Sequence, residues 1–411
     1  MRARLALVVL ALAASMSPLG VSAPAASASS KPAPFDPLSA SYVSPQDGRV
    51  LGTLACAHDR RCLTMLYSVN GGLSWIEGSL NSTMVKEADT SVNGESPLDY
   101  GTGLNVRFAN VEDGWIFGTL PVKVRHKKST SELFELALWS THNGGATWSS
   151  QTIKGVSSRG TIYDVEASSS TVYALLAATN DYDAVVYSSP VGANRWHKDV
   201  APALPGPAGG AQPGGVIVLK GSSGWLIYGN DRGTSGSARL SPKGTWEAWR
   251  APCTSVGHGF AVPAAASVQD LAAVCGMGGF AYPMPKTAPK GAVIGSSWLY
   301  FSKNGGASFT PGPELRPVKE NLSFGQYSGV LASPQPGVFI LSRDVAKGAQ
   351  LIASFDAGRT WSVVSKGDVT WFTAIDFAGP NRGVAIGQLA NHTNEMLTTS
   401  DGGHRWTPVD F

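Results

Sequence analysis

A short pattern recurs along this chain: a strand-like run closes in a tight turn that ends on an aromatic residue. Five copies are plain. They are Ser68-Val-Asn70-Gly-Gly72-Leu-Ser74-Trp75, Thr141-His-Asn143-Gly-Gly145-Ala-Thr147-Trp148, Ser302-Lys-Asn304-Gly-Gly306-Ala-Ser308-Phe309, Ser354-Phe-Asp356-Ala-Gly358-Arg-Thr360-Trp361 and Thr399-Ser-Asp401-Gly-Gly403-His-Arg405-Trp406. Asp and Asn fold their side chains back onto nearby backbone amides. Gly supplies positive φ without steric cost. Asn-Gly and Asp-Gly between apolar runs signal a β-hairpin. The aromatic is large enough to fill the gap between neighbouring repeats, so Trp361 and its equivalents are expected there. Folding alone explains every position of the pattern.

Two weaker copies end on Trp196 and Trp246, the first without the acid and the second shortened. Each unit also carries an apolar run: Gly48–Gly52, Gly114–Gly118, Val172–Leu176, Gly224–Tyr228, Leu271–Cys275, Gly337–Leu341 and Gly383–Gly387. Short continuous apolar runs suit strands buried on both faces. Seven units of about 40–50 residues, some enlarged by insertions, predict an all-β fold: a seven-bladed β-propeller of four-stranded antiparallel blades over residues 38–411. No stretch shows sustained helical periodicity with caps.

The turn resembles the Asp-box (BNR) repeat of sialidase-like β-propellers. That resemblance implies that Asn70, Trp75, Asn143, Trp148, Asn304, Phe309, Asp356, Trp361, Asp401 and Trp406 are structural and lie away from any active site. Families with such turns include sialidases, xyloglucan-cleaving hydrolases, sortilin-type receptors and the photosystem II stability factor. The Gly-Trp strand followed by the turn looks most like the last of these, and like exported bacterial propellers. One scaffold hosts many activities, so the resemblance speaks to fold more than to function.

The N-terminus reads as a secretory signal over residues 1–28. Arg2 and Arg4 precede the apolar Leu5–Ala14, and cleavage is expected after Ala23 or Ala28. A disordered leader to residue 37 and an extracellular or cell-envelope location follow. The formal charge of +3 is too small for a nucleic-acid partner. One basic cluster, Lys123, Arg125, Lys127 and Lys128 around His126, reads as a solvated loop or as a contact for an anionic polymer or lipid. Cys56, Cys62, Cys253 and Cys275 suggest two disulfides in an exported protein, with local pairings favoured among three connectivities. No cofactor, metal or membrane span is expected, and the protein is expected to be a monomer.

In an antiparallel meander, the first-to-second and third-to-fourth strand turns share one face. The second-to-third connections and the links between blades share the other. The recurring turns occupy the first face, here called the turn face. The longer stretches Asn81–Gly101, Thr119–Glu132, Asn230–Ser237, Gly276–Ser296 and Gln388–Asn394 are expected as loops on the second, the loop face. Long loops on a rigid scaffold commonly carry function. Phe280 and Tyr282 fall in one of them.

A sialidase-like site would need an Arg triad, a Tyr–Glu pair and an Asp acid. The Arg-Ile-Pro of that family is missing from the first unit, and Arg107 in the second is the nearest substitute. A glycosidase needs two facing carboxyls. Asp164 and Asp376 lie on expected inner strands, and His258 opens another. The expectation is therefore a non-catalytic module that contacts a protein or glycan through its loop face. The alternative is a glycoside hydrolase with diverged site residues.

Overall fold

The computed structural model describes residues 35–56, 60–88, 103–126, 129–177, 183–207, 213–230, 233–252, 261–276, 297–315, 330–345, 348–365 and 367–411. They form seven four-stranded antiparallel sheets, each contiguous in sequence. Blade one runs Asp36–Tyr42, Gly48–Cys56, Arg60–Ser68 and Ile76–Gly78. The inner strands of blades two to seven are Asn105–Phe108, Thr161–Ala167, Gly214–Lys220, Ala261–Ala265, Leu331–Ala332 and Val369–Phe377. These seven strands touch in order around the ring, and the last returns to the first. The fold is a seven-bladed β-propeller.

The apolar runs form the second strand of every blade, and Ser223–Asn230 is buried along its whole length. Neighbouring blades share cores, and the repeated aromatics sit in them. Trp75 joins blades seven and one, Trp148 one and two, and Trp196 two and three. Trp246 joins three and four, Trp361 five and six, and Trp406 six and seven. Phe309 of blade five meets Trp249 of blade four, with ring centroids 6.1 Å apart. The inter-blade placement expected of Trp361 holds for all seven positions.

Several expectations change. The first strand begins at Asp36, inside the stretch expected as leader. Phe35 is buried beside Phe411, at 4.7 Å between ring centroids. The stretch Asn81–Gly101 contains a helix, Ser82–Ala88. Asn81 caps it by accepting from the Met84 amide at 2.8 Å. Two turns are too short to print a helical period in the sequence. Thr119–Glu132 is no loop: strands Asp113–His126 and Ser129–His142 stay paired to His126 opposite Ser129. Its alternating Val122, Val124 and Leu133 suit strand better than coil. Asn230–Ser237 is likewise strand on both sides, with Asn230 opposite Gly233. Cys56 and Cys62 form a disulfide. Cys275 is disulfide-bonded too, while Cys253 lies outside the described residues.

Candidate functional site

The turn face is held by one repeated set of bonds. In blade one, Ser68 Oγ donates to Asn70 Oδ1 at 2.9 Å and accepts from the Gly72 amide at 2.7 Å. Asn70 Oδ1 also accepts from the Ser74 amide at 3.0 Å. The same bonds recur at Asn143, Asn304, Asp356 and Asp401. The amide of the residue after the Asp or Asn donates to the neighbouring turn of its own blade, as Gly71 does to Gln46 O at 2.8 Å. Two turns of one blade therefore brace each other on one face. These side chains are consumed by the turn, which leaves them little capacity for a ligand.

The titratable groups converge elsewhere, on the inner strands. Arg107 Nε lies 3.3 Å from Glu166 Oε2, and its Nη1 lies 3.6 Å from Asp376 Oδ2. Asp164 stands two residues before Glu166 on the same strand, and its Oδ2 accepts from the Ile217 amide at 2.8 Å. Blades two, three and seven thus meet across the axis. Each inner strand enters from the loop face and runs into a turn on the turn face. Arg107, Glu166 and Asp376 are the next-to-last residues of their strands, so the cluster lies toward the turn-face end of the axis.

Electrostatics follow from that clustering. Burial pushes the Glu166 carboxyl up to about 7, against the pull of Arg107; Asp164 and Asp376 add to the rise. Asp164 is also raised by burial, opposed by Arg107 and by the amides of Ile217 and Val165. Burial disfavours the Arg107 charge, but the three carboxylates outweigh it and hold its pKa above the ordinary value. The cluster is a shared charge network in which every carboxylate faces one guanidinium. Among the described residues, no group of three or more His, Cys, Asp or Glu is placed to hold a metal ion.

Three residues singled out in the sequence, Arg107, Asp164 and Asp376, come together here. Glu166 was missed. Its signal was available: it follows Asp164 by two on a strand, and residues two apart share a face. His258, Phe280 and Tyr282 lie outside the described residues. On the loop face, the blade-two hairpin sets Lys123 opposite Glu132 and Arg125 opposite Thr130. Trp371, near the loop-face end of the blade-seven inner strand, keeps 43% of its surface in solvent. No helix of the described residues is long and apolar enough to cross a membrane.

No protein-family model matches the chain, and no curated protein matches it. Solved structures do. One is YCF48 bound to D1 peptide, with a TM-score of 0.50 and 18% identity, covering 90% of this chain and 94% of that one. YCF48 from Cyanidioschyzon merolae gives 0.51 and 16%, covering 91% and 95%. An ulvan lyase of polysaccharide lyase family PL25 gives 0.52 and 12%, covering 92% and 96%. At these identities the likeness is one of fold, and it reaches both a peptide-bound protein and a glycan-acting enzyme.

Proposed function

We propose that this chain is an exported, non-catalytic binding propeller that contacts a protein or glycan through its loop face. The observation that carries this reading is the position of the axial charges. They are paired with one another and lie toward the turn-face end of the axis. The side chains of the turns are likewise engaged. What remains for a partner is the loop face, where the blade-two hairpin extends and Trp371 is exposed. A YCF48 neighbour is bound to a D1 peptide, which supports a peptide-class partner for this architecture. Export is supported by the N-terminal signal pattern and the Cys56–Cys62 disulfide.

Photocrosslinking tests the face. A crosslinking residue placed at Lys128, between the two strands of the blade-two hairpin in sequence, should capture a partner from the culture's secreted and envelope fractions. One placed at Lys303 on the turn face should not. The assignment of the face fails if Lys303 crosslinks and Lys128 does not. Trimming residues 278–289 should lower binding of the captured partner without altering circular dichroism.

One observation favours a second reading, a glycan-cleaving enzyme. A carboxyl held near 7, as Glu166 is, suits a general acid at neutral pH. The ulvan lyase neighbour shares the fold. Turnover dependent on Glu166 would separate the two readings.

A further inference from the structure

Six junctions between blades are bridged by the chain itself, but the seventh is not. Blade one is built wholly from the N-terminal strands and blade seven wholly from the C-terminal ones, with no strand exchanged between them. Contacts alone close this seam. Part of the closure is apolar: Phe411 packs on Phe35 and, at 5.4 Å, on Trp75, above a core of Val50, Leu66, Val384, Ile386 and Met396.

The polar part centres on one buried carboxylate. Asp36, the first residue of the innermost strand, accepts from the Asn394 amide at 2.7 Å and from Asn394 Nδ2 at 2.9 Å. Arg61 pairs with its other oxygen at 3.2 Å. Arg61 Nε in turn donates to Thr53 Oγ1 at 2.7 Å. Arg61 stands opposite Ala55 at the end of the hairpin that Cys56 and Cys62 crosslink. The disulfide therefore fastens the two strand ends from which the arginine reaches the seam.

We propose that the Cys56–Cys62 disulfide is a redox-sensitive lock on the ring seam: it holds Arg61 against Asp36, and Asp36 holds blade seven through Asn394. A dithiol reductant opens the lock. Two electrons and two protons pass to the S–S bond, two thiols form, and the reductant closes to a cyclic disulfide. The hairpin end then loses its crosslink, the guanidinium loses its fixed position, and the buried carboxylate loses its cation. Without its cation the buried carboxylate is costly to keep out of water, so Asp36 and its bonds to Asn394 open to solvent more often and the seam breathes while the other six junctions stay tied by the chain.

Hydrogen exchange of the intact chain reads this directly, because the Asn394 amide is itself a bond of the seam. In Cys56→Ser/Cys62→Ser, exchange across residues 394–399 should quicken by about tenfold, the factor expected for losing one charged hydrogen bond. Blades three to five should be unchanged. Arg61→Gln should give the same local effect, and adding it to the double serine variant should give little more. Should the serine variant fail to fold, dithiothreitol added to the folded wild type supplies the same readout. The Cys275 disulfide then reports separately in blade five. Unchanged exchange at 394–399 would overturn the proposal. So would equal acceleration in every blade, or fully additive effects of the cysteine and Arg61 changes.

Discussion

Two carboxylates in this molecule are moved in opposite directions. Asp356 lies in a surface turn of blade six, half-exposed, and hydrogen bonds from the amide and hydroxyl of Thr360 hold it down to about 2. Glu166 lies in the channel, where burial lifts it to about 7. The turn stabilises charge with donors a few residues away. The channel encloses charge and balances it with one arginine from another blade. A local device repeats and prints itself in the sequence; a convergent device exists only once the ring is closed.

The largest expected effect lies with the repeated aromatics that hold the blades together. Trp148 is buried and meets Phe108 edge to face at 6.1 Å. Trp148→Ala should cost about 3–5 kcal/mol in denaturant unfolding, and the half-buried Trp361 should cost less. Equal costs would mean that exposure does not rank these positions.

Next comes the channel. Arg107→Gln leaves three carboxylates without their cation. It should cost about 2–3 kcal/mol at pH 8, because the arginine keeps a quarter of its side-chain surface exposed. The cost should shrink at pH 5, where Glu166 is protonated. A pH-independent cost would argue against the shared network.

Glu166→Gln sharpens the contrast by sign. With a folded value of about 7 against an ordinary 4.5, Glu166 contributes stability that is complete below 4.5 and lost as pH rises through 7. The glutamine variant should remove this fall and unfold later than wild type at pH 8, by about 1 kcal/mol. Asp356 works the other way. Its contribution is present above 3.8 and lost as pH falls through about 2, so Asp356→Asn should be less stable than wild type above pH 4 and converge with it toward pH 2. Thermal midpoints from pH 2 to pH 9 check both.

The smallest effect is a gain. Ala357 sits at φ 61, where the matching residues of the other clear turns are glycines. Left-handed backbone costs a residue with a Cβ about 1–2 kcal/mol, and glycine's greater freedom in the unfolded chain returns part of this. Ala357→Gly should stabilise by about 0.5 kcal/mol, visible as a small rise in the thermal midpoint.

The sequence disclosed what is local. Asn-Gly turns, the aromatic after them and the buried second strands sufficed for seven blades. The same reasoning failed where length or pairing decides. The Ser82–Ala88 helix is too short to show a period. The blade-two hairpin looked like a loop because its basic residues, Lys123 and Arg125, interrupt the apolar pattern of the strands that pair there. Arg107, Asp164 and Asp376 could be named as inner-strand residues. Their meeting could not be read, because strand order around a ring does not fix which side chains turn toward the axis. Glu166 escaped for the same reason, although its spacing from Asp164 was a sufficient clue.

The central proposal is that the axial charges form a structural network rather than an active site. Turnover of a fluorogenic sialoside and of a panel of soluble polysaccharides, by wild type and by Glu166→Gln, tests it most directly. The account predicts no product from either protein, with the glutamine variant the more stable at pH 8. Product formed by wild type and lost in a folded Glu166→Gln or Arg107→Ala protein would contradict it and make the channel an active site.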